Sequence, residues 1–169
     1  PPRQLAGTSV EIDGRSAGLL YVSAERIVLR VPLGVLPGRA TVVVNSVGRS
    51  KLMGVAEVHP VAPGVFLAGE GTAVVENENG SMNSATTPAG AGSSTIVQLT
   101  GCDLAKSGKD SFTLRIGGAG AEVTSVGPAL GMPGVTLLRA VLPKSASGAQ
   151  TLQVFVDGVA SNKAVVWIR

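Results

Sequence analysis

His59 is the single histidine of the chain and Cys102 its single cysteine. The two residue types that most often carry nucleophilic or metal chemistry therefore occur once each. A serine or cysteine triad needs an imidazole held between a nucleophile and an orienting acid. His59 instead precedes Pro60 in a connector, and no Gly-x-Ser-x-Gly elbow occurs. One cysteine and one histidine cannot supply a structural zinc. Cys102 has no histidine or basic group close by in sequence to lower its pKa, so it reads as a structural thiol at a strand end. Glu76-Asn-Glu-Asn-Gly80 has the oxygen-rich look of a calcium loop, but its glycine comes one place early and no bidentate glutamate follows in step. It reads as a polar hairpin tip. Gly117-Gly-Ala-Gly120 lacks the Lys-Ser/Thr ending of a phosphate loop. Asn79-Gly-Ser81 is a glycosylation sequon by pattern. The eleven acids offer no pair spaced for glycoside hydrolysis. The expectation is a non-enzyme with no cofactor and no metal.

Charge offers one candidate ligand site. Of 14 basic and 11 acidic residues, seven basic and four acidic lie at or before Val58, and the remainder is balanced. Arg26, Arg30 and Arg39 form the candidate patch for an anionic ligand, either a surface polysaccharide or nucleic acid. Nucleic acid is excluded by the 3% aromatic content, which leaves nothing to stack on bases. The same scarcity weighs against sugar platforms, and Trp167 is expected to fill the core near the last strand.

The elements that must carry these residues are strands. Hydrophobic residues make up 44% of the chain, with 23 Gly and 10 Pro to punctuate them. No window sustains a helical apolar period, and no apolar run is long enough to span a bilayer. Leu152, Val154 and Val156 alternate with polar or outward positions, Asp157-Gly158 supplies a tight turn, and Lys163 to Ile168 returns. Thr41 to Val58 writes the same sentence earlier. Gly38, Thr41 and Gly48 recur as Gly148, Thr151 and Gly158; Ile12-Asp-Gly14 recurs as Ile116-Gly-Gly118; Leu29-Arg-Val-Pro32 resembles Ala140-Val-Leu-Pro143. Ordered repeats of short strands and turns predict an all-β chain of two tandem immunoglobulin-like β-sandwiches. The domains are read as 1–59, a Pro/Gly linker at 60–64, and 65–169.

Gly7-Thr-Ser-Val-Glu-Ile-Asp-Gly14, Leu20-Tyr-Val-Ser23, Val61-Ala-Pro-Gly-Val-Phe66, Asn83-Ser-Ala85 and Gly158-Val-Ala-Ser-Asn162, with the Val31-Pro32 stop, occur in this order along nearly the whole chain. Together they resemble the C-terminal domain recurring in large secreted proteins of acidobacteria, of the Solibacter type, whose repeats are similar to IPT/TIG immunoglobulin-like modules. The resemblance implies an extracellular or cell-surface location and a non-catalytic module, and it brings no functional residues with it. Cys102-Asp103 and a shortened Ser107-Gly-Lys-Asp110 loop depart from that pattern.

The copies are unequal. The second has room before Gly118 for opening strands such as Thr95 to Thr100, whereas the first has 13 residues before Gly14. The first sandwich is therefore expected to lack its opening strand or strands, leaving an unpaired edge that something must cover. Three sources are open: sequence upstream of Pro1-Pro2-Arg3-Gln4, which reads as a cut start; the segment Val65, Phe66, Leu67, Thr72, Val74 and Val75 acting as a strand donor; or a neighbouring copy, which would build a fibre. The expected role is a structural or adhesive module with a protein partner or self-association through an open sheet edge. The alternatives are an acidic-polysaccharide binder and an accessory domain of a secreted enzyme.

Overall fold

The structure is a computed structural model that describes residues 1–102, 104 and 107–169. Asp103, one of the departures noted above, lies outside them. The chain divides into two compact units, Pro1–Pro60 and Val61–Arg169. The first holds β1 (Gln4–Leu5), β2 (Thr8–Ile12), β3 (Arg15–Ser16), β4 (Gly18–Val22), β5 (Ile27–Arg30), β6 (Gly38–Ser46) and β7 (Leu52–Val58). The second holds β8 (Gly64–Val65), β9 (Val75–Asn77), β10 (Ser94–Thr100), β11 (Phe112–Ile116), β12 (Ala119–Pro128), β13 (Thr136–Val141), β14 (Gly148–Val156), β15 (Val159–Ala160) and β16 (Ala164–Ile168). One 3-10 turn, Lys109–Ser111, is the only helical element among the described residues.

In the second unit β8, β10, β13 and the latter part of β12 make one antiparallel sheet. The start of β12, with β11, β14 and β16, makes the other. β12 changes sheets within its length: Ala119 to Ala121 pair with β11, and Glu122 to Pro128 pair with β13. Thr72 and Ala89 lie parallel to Val165 and Ile168 at the edge of β16. Two antiparallel sheets joined by β12 make this unit a β-sandwich. Alternation then decides what is buried. Val97 and Leu99 on β10, Leu138 and Ala140 on β13, and Leu152, Val154 and Val156 on β14 turn inward and are fully buried.

The first unit repeats the later part of that plan residue for residue. Thr8 to Ile12 on β2 pair with Ser46 to Val42 on β6, as Phe112 to Ile116 on β11 pair with Val156 to Leu152 on β14. Gly38 faces Val58 in β6–β7, as Gly148 faces Ile168 in β14–β16. Leu19 faces Leu29 and Tyr21 faces Val28 across a bulge, as Val123 faces Ala140 and Ser125 faces Arg139 across the matching bulge. Even the turn is copied, since the Asp13 N–H donates to Thr41 O at 2.9 Å and the Gly117 N–H to Thr151 O at 2.8 Å. A bulge is a specific feature of a strand pair rather than a defect, so the same bulge at the same register ties the two units to one design.

Turn chemistry is as the sequence requires. Asp13 and Asp157 hold φ of 47° and 50° and are followed by Gly14 and Gly158 in the same left-handed region. Three expectations are corrected. The stretch 60–64 is not a free linker: Val61 packs on the second unit's core, the Ala62 N–H bonds Gly101 O, and Gly64 begins β8. Trp167 does not fill the core, because Val166 and Ile168 take the inward positions of β16 and strand alternation turns Trp167 outward, half-buried. The proposed donor residues are already used: Val65 pairs with Leu99, the Phe66 N–H bonds Gln98 O, Leu67 bridges Ala73, Thr72 bridges Val165, the Gln98 N–H bonds Val74 O, and Val75 pairs with Val97.

Candidate functional site

The second unit shows what the first is missing. Its β13 lies between β12 and β10, but the first unit's β5 pairs with β4 alone. No described strand of the first unit takes the place of β8, β9 or β10. The inward positions consequently lose their cover. Leu138, Ala140 and Leu142 are fully buried, whereas their counterparts Ile27 and Leu29 are half-buried and Val31 is 47% exposed. Leu152 and Val154 are sealed, but Val42 and Val44 are half-buried. Val166 on β16 is 0% exposed; Ala56, at the same place on β7, is exposed. Along β7, Leu52, Met53 and Val55 are 66%, 70% and 60% exposed. Val10, Ala17 and Leu19 form a small cluster at the bottom, and Leu5, Val22, Ile27, Leu29, Val42 and Val44 line it. The result is an apolar groove with an open strand along one wall. Leu52 and Ala56 lie on the groove side of β7 and Met53 and Val55 on its other face, so both faces of this open strand carry bare apolar surface, which marks a contact surface.

In the second unit the cover is fastened by two asparagines. Asn83 is buried; its Nδ2 donates to Trp167 O at 2.9 Å and its Oδ1 accepts the Trp167 N–H at 2.8 Å. It also donates to Asn77 Oδ1 at 3.0 Å. The Asn162 Oδ1 accepts the Val65 N–H at 2.8 Å and its Nδ2 donates to Val65 O at 3.1 Å. Each amide supplies a donor and an acceptor, as a neighbouring strand would. Both lie in motifs that carried the family resemblance, but sequence alone gave no role for them. The first unit has Leu52 where the second has Asn162, so it has no such clamp at that place.

The arginines gather differently from the expected patch. Arg26 precedes β5, with its guanidinium 5.2 Å from the centroid of the Tyr21 ring. Arg30 ends β5, and Arg39 sits on β6 opposite Glu57. Arg26 and Arg30, four residues apart on extended backbone, share one face, and Arg39 lies on another strand. Arg30 instead shares an open cleft of about 550 Å³ with Arg3 and Arg15, and no acidic residue lines it. Sequence missed this grouping because Arg3 and Arg15 are brought there by pairing, not by proximity in the chain.

The other singled-out residues are structural. Glu76-Asn-Glu-Asn-Gly80 is the hairpin tip: the Asn77 N–H bonds Ser81 O, and Asn79 Oδ1 accepts from the Ser81 hydroxyl at 2.7 Å. Among the described residues no three His, Cys, Asp or Glu gather as a metal site would require. Gly117 and Gly118 turn β11 into β12 with φ of 57° and 86°. His59 is exposed, between β7 and the start of the second unit. Burial, and then the charge of Asp157, push the Cys102 thiol up to about 11, so it is protonated at neutral pH and is a poor nucleophile. Asp157 is itself held below the usual carboxylate range by hydrogen bonds from Ser107 and Ser111.

No family model and no curated protein matches the chain. Among solved structures it is similar to SGBP-B of the Bacteroides ovatus mixed-linkage glucan utilization locus, determined with a mixed-linkage heptasaccharide, at 15% identity and a TM-score of 0.37. That alignment covers 96% of this chain and 37% of the other, so the chain spans little more than a third of that protein. It is also similar to domains 4 and 5 of the S-layer protein SbsC, at 13% identity and a TM-score of 0.28, over 94% of this chain and 98% of that one. At these scores neither likeness bears on a ligand. Among the described residues no helix is long and apolar enough to cross a membrane.

Proposed function

We propose that the chain is a non-catalytic structural or adhesive module of the extracellular surface, and that it makes protein–protein contacts through its first unit. One observation carries this reading: β2 to β7 copy the register of the second unit's later strands, and no strand described in the first unit covers them as β8 to β10 cover their counterparts. An edge strand without bulge, proline or cover along its free side pairs with whatever strand it meets. The resemblance to secreted acidobacterial modules supports the location, and edge-to-edge pairing along the free side of β7 is the form of self-association the open strand favours. Sedimentation velocity over a wide concentration range tests it. The purified chain is expected to associate reversibly, and Met53→Lys with Ala56→Lys on the exposed β7 is expected to suppress this without loss of fold. A monomer at every concentration would contradict the reading.

A second reading rests on the Arg3, Arg15 and Arg30 cleft, which suits a carboxylated or sulfated polysaccharide. Retention on an anionic polymer matrix is expected to fall steeply with salt. Arg15→Glu with Arg30→Glu is expected to abolish it, and Arg39→Glu to leave it nearly unchanged. Equal losses from all three arginines would refer retention to net charge alone.

A further inference from the structure

The second unit carries one side chain placed to react with its own backbone. Asn79-Gly80 is the single Asn-Gly pair of the chain. It forms the tip of the hairpin after β9, and both residues are exposed. We infer that Asn79 is a self-modification site, where the Gly80 main-chain nitrogen displaces the Asn79 side-chain amide and leaves aspartate or isoaspartate at this position. A bond forms between the Gly80 nitrogen and Asn79 Cγ, the Cγ–Nδ2 bond breaks, and ammonia departs. The Gly80 amide proton passes to solvent, and solvent returns one to the leaving nitrogen. Water then opens the five-membered imide at either carbonyl. Opening at Cγ gives aspartate; opening at the main-chain carbonyl gives isoaspartate, in which the main chain runs through Cγ. No oxidant or cofactor is consumed.

The local geometry favours that attack. Gly80 has no side chain beside the attacking nitrogen, and nothing lies within 4 Å of where its Cβ would stand. Asn79 Oδ1 accepts the Ser81 hydroxyl at 2.7 Å and the Ser81 N–H at 3.1 Å. Negative charge gathers on this oxygen as the nitrogen adds to Cγ, so two donors already aimed at it stabilise the intermediate. Asn77 Nδ2 donates to Ser81 Oγ at 3.0 Å and so orients the hydroxyl proton toward Asn79. The opposing contact is the bond from the Gly80 N–H to Asn77 O at 2.9 Å. At an exposed tip, opening one such bond costs little. The other asparagines lack this combination. Asn45 is paired with Ser9 inside a ladder, Asn77 and Asn83 are buried, and the Asn162 amide is engaged at both ends by Val65. The change also reaches inward. Isoaspartate adds a methylene to the main chain between Asn77 and Ser81, whose N–H to O bond closes the hairpin, and Asn77 Oδ1 accepts from Asn83 of the clamp.

The test incubates the folded full chain across a range of pH and follows each asparagine by peptide mapping and mass spectrometry. Asn79 is expected to gain one mass unit and to yield an isoaspartyl peptide that an isoaspartyl methyltransferase labels. The rate is expected to rise with pH, because the attacking nitrogen must give up its proton. Asn45 and Asn83, each followed by serine, are expected to stay intact over the same period. Ser81→Ala removes one of the two donors and is expected to slow conversion about three- to tenfold, less than in a water-excluded oxyanion hole. In a synthetic peptide of residues 74–84, which lacks the fixed turn, the same substitution is expected to change the rate little. Gly80→Ala is expected to slow the reaction in chain and peptide alike. A folded chain that stays unmodified while the peptide converts would overturn the inference, since the Gly80 to Asn77 bond would then be protecting the tip. Conversion of Asn45 or Asn83 as fast as Asn79 would overturn it too, by referring the reaction to global unfolding.

Discussion

Asn83→Ala is expected to lower the stability of the second unit by about 3–4 kcal/mol, the largest effect of any single polar substitution in the chain. The buried amide makes three hydrogen bonds, two of them to the main chain of Trp167 and one to Asn77. Truncation leaves the Trp167 N–H and carbonyl and the Asn77 side chain without those partners. Each unpaired buried group costs roughly 1–3 kcal/mol, and a small cavity shared between them lets only some recover a bond. Asn162→Ala is the comparison. Asn162 makes the same two-pronged contact to Val65, but it is exposed, so water replaces the lost bonds and the cost is about 1 kcal/mol. Chemical denaturation of both variants checks the difference. Equal costs would mean that the Asn83 bonds do not fasten the cover strand.

Gly101→Ala is expected to cost about 3 kcal/mol or more, roughly 10–20 °C in Tm. Gly101 has φ of 76°, where an alanine costs about 1–2 kcal/mol by itself. A Cβ there would also fall inside contact distance of the Ala62 carbonyl oxygen, with the Ala62 carbonyl carbon at 2.6 Å and Pro63 Cα at 3.4 Å. These are backbone atoms that cannot swing aside, and the Ala62 N–H is bonded to the Gly101 carbonyl. The chain entering the second unit must therefore shift with them. Gly118→Ala isolates the backbone contribution, because its φ is 86° and nothing lies within 4 Å of the added carbon. Its cost is expected to stay near the left-handed cost alone. Thermal unfolding of the pair distinguishes the two, and equal shifts in Tm would remove the claimed close approach.

Much of this architecture was legible before any coordinate. Period-two alternation around an Asp-Gly turn placed β16 within a residue and the hairpins β6–β7 and β14–β16 as a whole, though β6 and β14 begin earlier than the alternation shows. The recurrence of Gly38, Thr41 and Gly48 as Gly148, Thr151 and Gly158 gave the register of the duplicated hairpins before any pairing was seen. What escaped was long-range. Trp167 is aromatic and sits in the last strand, which suggests core, but which face of a strand is inward depends on Val166 and Ile168 facing β10 and β13 across the sandwich. The arginine cleft joins Arg3, just before β1, with Arg15 of β3 and Arg30 of β5, and pairing makes them neighbours. The donor segment at Val65 to Val75 looked free because its partners, Gln98 and Val165, are far along the chain. Asn83 and Asn162 read as ordinary turn residues, because a side chain standing in for a strand leaves no periodic trace.

The central claim is that one sandwich design occurs twice and that the described strands cover it only in the second unit. Residue-resolved amide hydrogen exchange of the intact chain tests it most directly, because exchange reports which ladders are closed and covered. The account predicts slow exchange through β10, β13, β14 and β16, and exchange at least about a thousandfold faster in β5 and β7 than in their counterparts β13 and β16. Protection in β5 and β7 equal to that of β13 and β16 would contradict it.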